Sequence, residues 1–186
     1  MPIAIFIIAI GILLRLIPHA PNFAPVGAIA IFAGIYLGKK WSWAIPIAMM
    51  FVSDLFIGVY DWKIMVTVYA CFVLSVLIGH LLSSISYKLK AKSFNISSIL
   101  PTIVLYSGGS LLGSIVFFLV TNAAVVFFGN WYPHSFAGLM QSYIAGLPFF
   151  RNTVASDLFY LAIFASSYEL ARFLVTRLSH RKITVR

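Results

Sequence analysis

Arg15 to Gly27, RLIPHAPNFAPVG, sets three prolines, a histidine and an arginine between two apolar runs. Proline lacks an amide donor and biases the residue before it away from helix. Pro18, Pro21 and Pro25 therefore enforce a structured, non-helical crossing from one run to the next. Beyond that crossing the chain is nearly all hydrocarbon, divided into long apolar segments by short connections.

Hydrophobic residues make up 62% of the 186 and charged ones 9%, too little polar surface to cover a soluble globule. The expectation is an all-α integral membrane protein, one domain over residues 1–186, because continuous apolar runs suit helices rather than the alternating strands of a membrane barrel. The formal net charge is +9. The basic residues fall in clusters between the apolar runs and not along one amphipathic face, which argues for topology signals and against a nucleic-acid partner. The first run lacks a basic lead and a small-residue cleavage site, so it is expected to be a retained span. Cys71 is the single cysteine, which excludes a disulfide within the chain.

Six spans are expected: Pro2–Ile17, Phe23–Gly38, Trp41–Tyr60, Lys63–Tyr87, Ile99–Gly129 and Phe149–Leu178. Lys39 and Lys40 follow the second, Lys88, Lys90 and Lys92 the fourth, and Arg177, Arg181, Lys182 and Arg186 the sixth. An alternating path puts all three clusters on one side with both termini, and the positive-inside rule makes that side the cytoplasm. The other face then carries the proline-rich crossing, the turn Val59–Trp62 and the connection Asn130–Pro148. That last connection, apolar and punctuated by Gly and Pro, is expected to fold back as a short separate helix over the bundle.

Counting inward from the outer ends puts Asp54, Asp157 and Cys71 roughly 9 to 12 Å deep at 1.5 Å per residue. Thr67, Thr121 and Asn122 fall at similar depth, and Arg15 closes the first span above them. The mouth would hold His19, Asn22, His134, Gln141, Arg151 and Asn152. Each polar residue alone has a structural explanation: Arg15 would neutralise Asp54 or Asp157, and the amides would tie helices together. Together, on one side and under an aromatic cover, they favour a binding cavity that opens outward.

A lone cysteine in an apolar helix is most simply a small filler. The position of Cys71 in Thr67-Val68-Tyr69-Ala70-Cys71, level with the carboxylates, also suits a soft ligand to a metal brought by a bound molecule. His80 is expected to hydrogen-bond between helices, and Glu169 and Arg172 to pair locally at i, i+3. Glycines and serines at 108–114 would let the fifth span pack closely. The chain has no G-x-x-x-x-G-K-[ST], H-E-x-x-H or G-x-S-x-G, so it carries no phosphate loop of its own.

The blocks RLIPHAPNFAPVGAIAIFAG (Arg15–Gly34), SDLFIG (Ser53–Gly58) and GLPFFRNT (Gly146–Thr153) resemble a family of small bacterial six-span proteins. These are related to the substrate-binding S-components of energy-coupling-factor vitamin transporters. Within that family the chain is similar to the solitary vitamin B12 transporters of the bacterial inner membrane. The resemblance implies an S-component-like bundle that captures cobalamin from the periplasm, with the Cys71 thiolate ligating the cobalt of the substrate. It further implies a pocket formed by Arg15, His19, Asn22, Asp54, Tyr69, Cys71, Arg151, Asn152 and Asp157, and no cofactor of the protein's own. Slow cysteine-assisted loss of an axial ligand such as cyanide is an extension of that reading.

S-components that share a coupling module carry Ala-x-x-x-Ala on the first helix. Here Ala4 and Ala9 are five apart, which agrees with a protein that has no dedicated module. Two alternatives stay open: an S-component-like carrier for another vitamin or small molecule, with Cys71 as packing, and an intramembrane enzyme with Asp54 and Asp157 as an acid–base pair.

Overall fold

The computed structural model describes residues 2–92 and 99–184, with side chains over 4–88 and 100–175. Arg186 lies outside the described residues, and Lys90, Lys92, Arg177, Arg181 and Lys182 lie outside the described side chains. The described residues form six helices and no strand: α1 (Pro2–Leu16), α2 (Val26–Tyr36), α3 (Ala44–Ile57), α4 (Trp62–Lys92), α5 (Ile99–Phe128) and α6 (Phe136–Thr184).

Three segments are long and apolar enough to cross a membrane, Trp62–Lys88, Leu100–Phe128 and Phe136–Val175. The other three helices are shorter than the expected spans. The second, expected over Phe23–Gly38, is only the 11 residues of α2. At 1.5 Å per residue it reaches about 16 Å, roughly half the ~30 Å of a hydrocarbon core.

Its surroundings explain why so short a helix is stable. A helix apolar on every side belongs inside a fold, and nine of its residues, including Ala28, Ile29, Ala30, Ile31 and Ala33, are buried. Every other helix touches it. The closest approach is at the α2–α4 crossing, where a Cβ built on Gly34 would lie 2.9 Å from Gly79 Cα and one on Gly79 2.9 Å from Gly34 Cα. Only paired glycines let two backbones meet there.

Local chemistry sets the helix ends. Asp61 caps α4, its Oδ1 accepting from the Lys63 and Ile64 amides at 2.9 and 3.2 Å. Ser135 does the same for α6 through the Gly138 amide. Here the structure corrects the expected separate helix in Asn130–Pro148: residues from Phe136 onward already belong to α6, a single helix of 49 residues with Pro148 inside it. One proline removes one intrahelical bond, and the turns on either side keep theirs. Gly138 and Gly146, which read as punctuation, are close-packing points instead, against the Pro133 carbonyl and against Phe118 and Asn122.

Candidate functional site

Arg15 stands in the last turn of α1, where a cation also suits the helix dipole. Its Nη1 lies 2.7 Å from Asp54 Oδ1 on α3 and donates to Ser53 Oγ and to the Met50 carbonyl. Tyr69 of α4 donates its hydroxyl to Asp54 Oδ2 at 2.7 Å. Of the two carboxylates that Arg15 was free to neutralise, it takes Asp54. Tyr60, in the α3–α4 connection, faces the same group, and burial, then the Asp54 charge, push its phenol up to about 12 against the opposing pull of Arg15. It is a neutral hydroxyl at physiological pH.

Asp157 of α6 is held differently. Its Oδ2 accepts from Ser114 Oγ of α5 at 2.7 Å, and it receives the Ala28 backbone N–H in the first turn of α2. Pro25 at the N-cap of α2 offers no side-chain cap, so a carboxylate from another helix occupies the positive end of the α2 dipole. Gly27 has no Cβ, and one placed there would run into the Asp157 carboxylate. Among the described residues no cation forms an ion pair with Asp157.

The proline-rich crossing is fastened to the same stretch of α6. Asn152 Nδ2 donates to the Pro21 carbonyl at 2.9 Å and Ser156 Oγ to the Ala24 carbonyl at 2.7 Å. Ala20 to Phe23 form a turn closed by Phe23 N to Ala20 O, with Pro21 second and Asn22 third at φ 61°. That is the type II pattern, in which asparagine tolerates the left-handed position.

Between these elements lies a cavity of about 230 Å³. Arg15, Asn22, Tyr60 and Asp157 give its polar wall, and Phe72 and Phe117, stacked at 5.2 Å, give much of its apolar one. A second cavity, of about 320 Å³, adjoins it across the shared residues Asn22, Phe117 and Thr153 and reaches Trp131 and Asn122.

The tetrapeptide SDLF occurs twice, at 53–56 and 156–159, and the two copies behave alike. Ser53, Asp54, Ser156 and Asp157 are buried, whereas Leu55, Phe56, Leu158 and Phe159 point outward. Each serine bonds a backbone carbonyl and each aspartate reaches another helix.

The fold thus brings together Arg15, Asn22, Asp54, Tyr69, Asn152 and Asp157. It does not bring in the others. His19 and Arg151 are exposed and outside both cavity walls. His134 contacts the Gly129 carbonyl, and Gln141 is exposed. Thr67 and Thr121 bond carbonyls of their own helices. Cys71 is 1% exposed and absent from both walls, although Val68 and Ser75, within one turn of it on α4, line the first. His80 bonds across elements, to Ser42 Oγ at 3.0 Å, and Glu169 and Arg172 pair at 4.0 Å. Among the described residues no cluster of His, Cys, Asp and Glu is suited to a metal ion.

Several wall residues carried no signal in the sequence: Tyr60, Phe72, Ser75 and Phe117 read as ordinary helix or belt residues. Ser114 read as a small packing residue, yet it is the hydroxyl donor to Asp157.

The chain belongs to a family of unknown function, DUF6580, whose model matches residues 1–178. No curated protein and no solved structure matches it.

Proposed function

We propose that this chain is an S-component-like protein of the bacterial inner membrane that captures a small molecule from outside and carries it inward. One observation carries the reading: polar groups from α1, α4 and α6 and from the two connections at one end of the bundle converge on a cavity inside an otherwise hydrocarbon fold. Polar groups placed at such depth are costly, and they persist where they line a pathway or a ligand site.

The rest of the fold suits that setting. The three long apolar helices carry exposed Leu81, Leu100 and Leu170 on their outer faces, as lipid contact would require. All four tryptophans sit at helix ends or connections: Trp41 and Trp43 at one end of the bundle, Trp62 and Trp131 at the other. Lys39 and Lys40 follow the end of α2 remote from the cavity, which under the positive-inside rule supports a periplasmic cavity mouth.

The test is recovery and import of the cargo. Protein purified in detergent is extracted, and the released small molecules are identified by mass spectrometry. The same molecule is then followed into cells with and without the protein. Thr153→Trp, which fills the boundary between the two cavities, should abolish both signals. Import equal in cells with and without the protein would sink the carrier reading.

A finer version makes cobalamin the cargo, with Cys71 as ligand to its cobalt. Its support is that Val68, Phe72 and Ser75, the neighbours of Cys71 within about one turn on α4, line the cavity, although Cys71 itself does not. Ligation would require the thiol to turn from its buried position. The cavity would also have to widen, since about 230 Å³ is below the roughly 300–1,000 Å³ of drug-sized sites. A corrinoid absorption spectrum that travels with the purified protein and shifts on Cys71→Ala would establish it. A colourless protein after growth with cobalamin would remove it and leave the smaller-cargo reading in place.

A further inference from the structure

We infer that the cavity takes a small organic monocation with a flat apolar body, its charge set against Asp157. This rests on the cavity being the ligand site. The charge balance of the wall is the first ground. Arg15, the wall's cation, is matched by Asp54 at 2.7 Å, with Ser53 and the Met50 carbonyl as further partners. Asp157 has no such match among the described residues. Its partners are a hydroxyl and one backbone amide, and the end of α2 supplies only about half an elementary charge. The other polar wall groups, Asn22, Tyr60, Ser75 and Thr153, are neutral. A cation set beside Asp157 would favour the charged form of a buried carboxyl that has no cation of its own, whereas an anion would oppose it.

Shape is the second ground. Gly27 belongs to the wall, and the Asp157 carboxylate fills the space its missing side chain leaves, which seats the acid group at the cavity wall. Phe72 and Phe117 present stacked rings 5.2 Å apart and tilted by 29°, a surface that receives a flat apolar body and attracts a cation held over a ring face. The volume of about 230 Å³ equals roughly eight water volumes of about 30 Å³. That suits a ligand of one small ring with a short charged substituent.

Three probes of one shape and different charge decide the matter: benzylammonium, benzyl alcohol and benzoate, titrated at pH 7 into detergent-purified full-length protein, with binding read by thermal stabilisation. Benzylammonium should bind about tenfold or more tightly than benzyl alcohol, and benzoate should not bind. Asp157→Asn should erase the difference between the amine and the alcohol. Thr153→Trp, which leaves the carboxylate and its partners intact, should remove binding of both.

Equal stabilisation by alcohol and amine, preference for benzoate, no response to any probe, or retained amine preference in Asp157→Asn would each overturn the inference. Should Asp157→Asn not fold, the ranking of the three probes on the unaltered protein still decides. A neutral or anionic molecule recovered with the purified protein would overturn the cation and leave the carrier standing. Absence of import together with amine preference would do the reverse.

Discussion

Arg15 and Asp54, on α1 and α3, close an ion pair at 2.7 Å with only 3% of the aspartate side chain exposed. A buried pair of this kind holds position more than it adds net stability, because both ions have lost their water. Removing one partner leaves the other charged and unmatched. Arg15→Met should therefore destabilise the fold by about 3–5 kcal/mol, and Arg15→Met with Asp54→Leu should recover much of that loss. Unfolding midpoints in one detergent give the comparison. A double variant as unstable as the single would show that the pair itself, rather than the orphaned carboxylate, carries the stability.

The α2–α4 crossing predicts a contrast among glycines. Gly34→Ala places a methyl carbon against the Gly79 Cα at 2.9 Å and against the Val76 carbonyl, both backbone atoms that cannot swing aside. The helices must separate, at about 1–3 kcal/mol as for overpacked cores. Gly108→Ala on α5 has nothing within 4 Å of the new carbon, so it should be neutral or slightly stabilising, as alanine is the better helix former. Circular dichroism melts of the two variants in parallel check the order. Equal effects would mean that the crossing yields more easily than backbone contact allows.

How much of this was legible in the sequence follows from what each signal is made of. Hydrocarbon runs and proline punctuation are local, so the all-helical class and the non-helical crossing at 17–25 were readable. Depth along a helix is arithmetic, which is why Asp54 and Asp157 were expected near Arg15. Pairing is not local. Nothing in the one-dimensional pattern says that Arg15 meets Asp54 rather than Asp157, or that Ser114 serves Asp157. The α6 N-terminus misled because Gly138, Gly146 and Pro148 resemble loop residues, and their packing against Pro133, Phe118 and Asn122 appears only in three dimensions. The Ser135 cap three residues before Gly138 was a usable signal for the helix start.

The last prediction concerns the crossing itself. Two bonds from α6 hold it, Asn152 to the Pro21 carbonyl and Ser156 to the Ala24 carbonyl. Each is worth about 0.5–1.5 kcal/mol. Both fasten the same short segment, so Asn152→Ala and Ser156→Ala should not add: once one tie is lost, the second holds a looser strand and its loss costs less. Hydrogen exchange gives the sharper readout. Amides of Asn22 to Ala24 should exchange faster in either variant, while those of Ile29 to Ala33, enclosed on all sides in α2, keep their protection. Arg151→Ala, one position away on the exposed face of α6, should alter neither. Unchanged exchange at 22–24 in the double variant would mean that the prolines alone hold the crossing in shape. The type II turn at Pro21 and Asn22 would then be the sole source of its order.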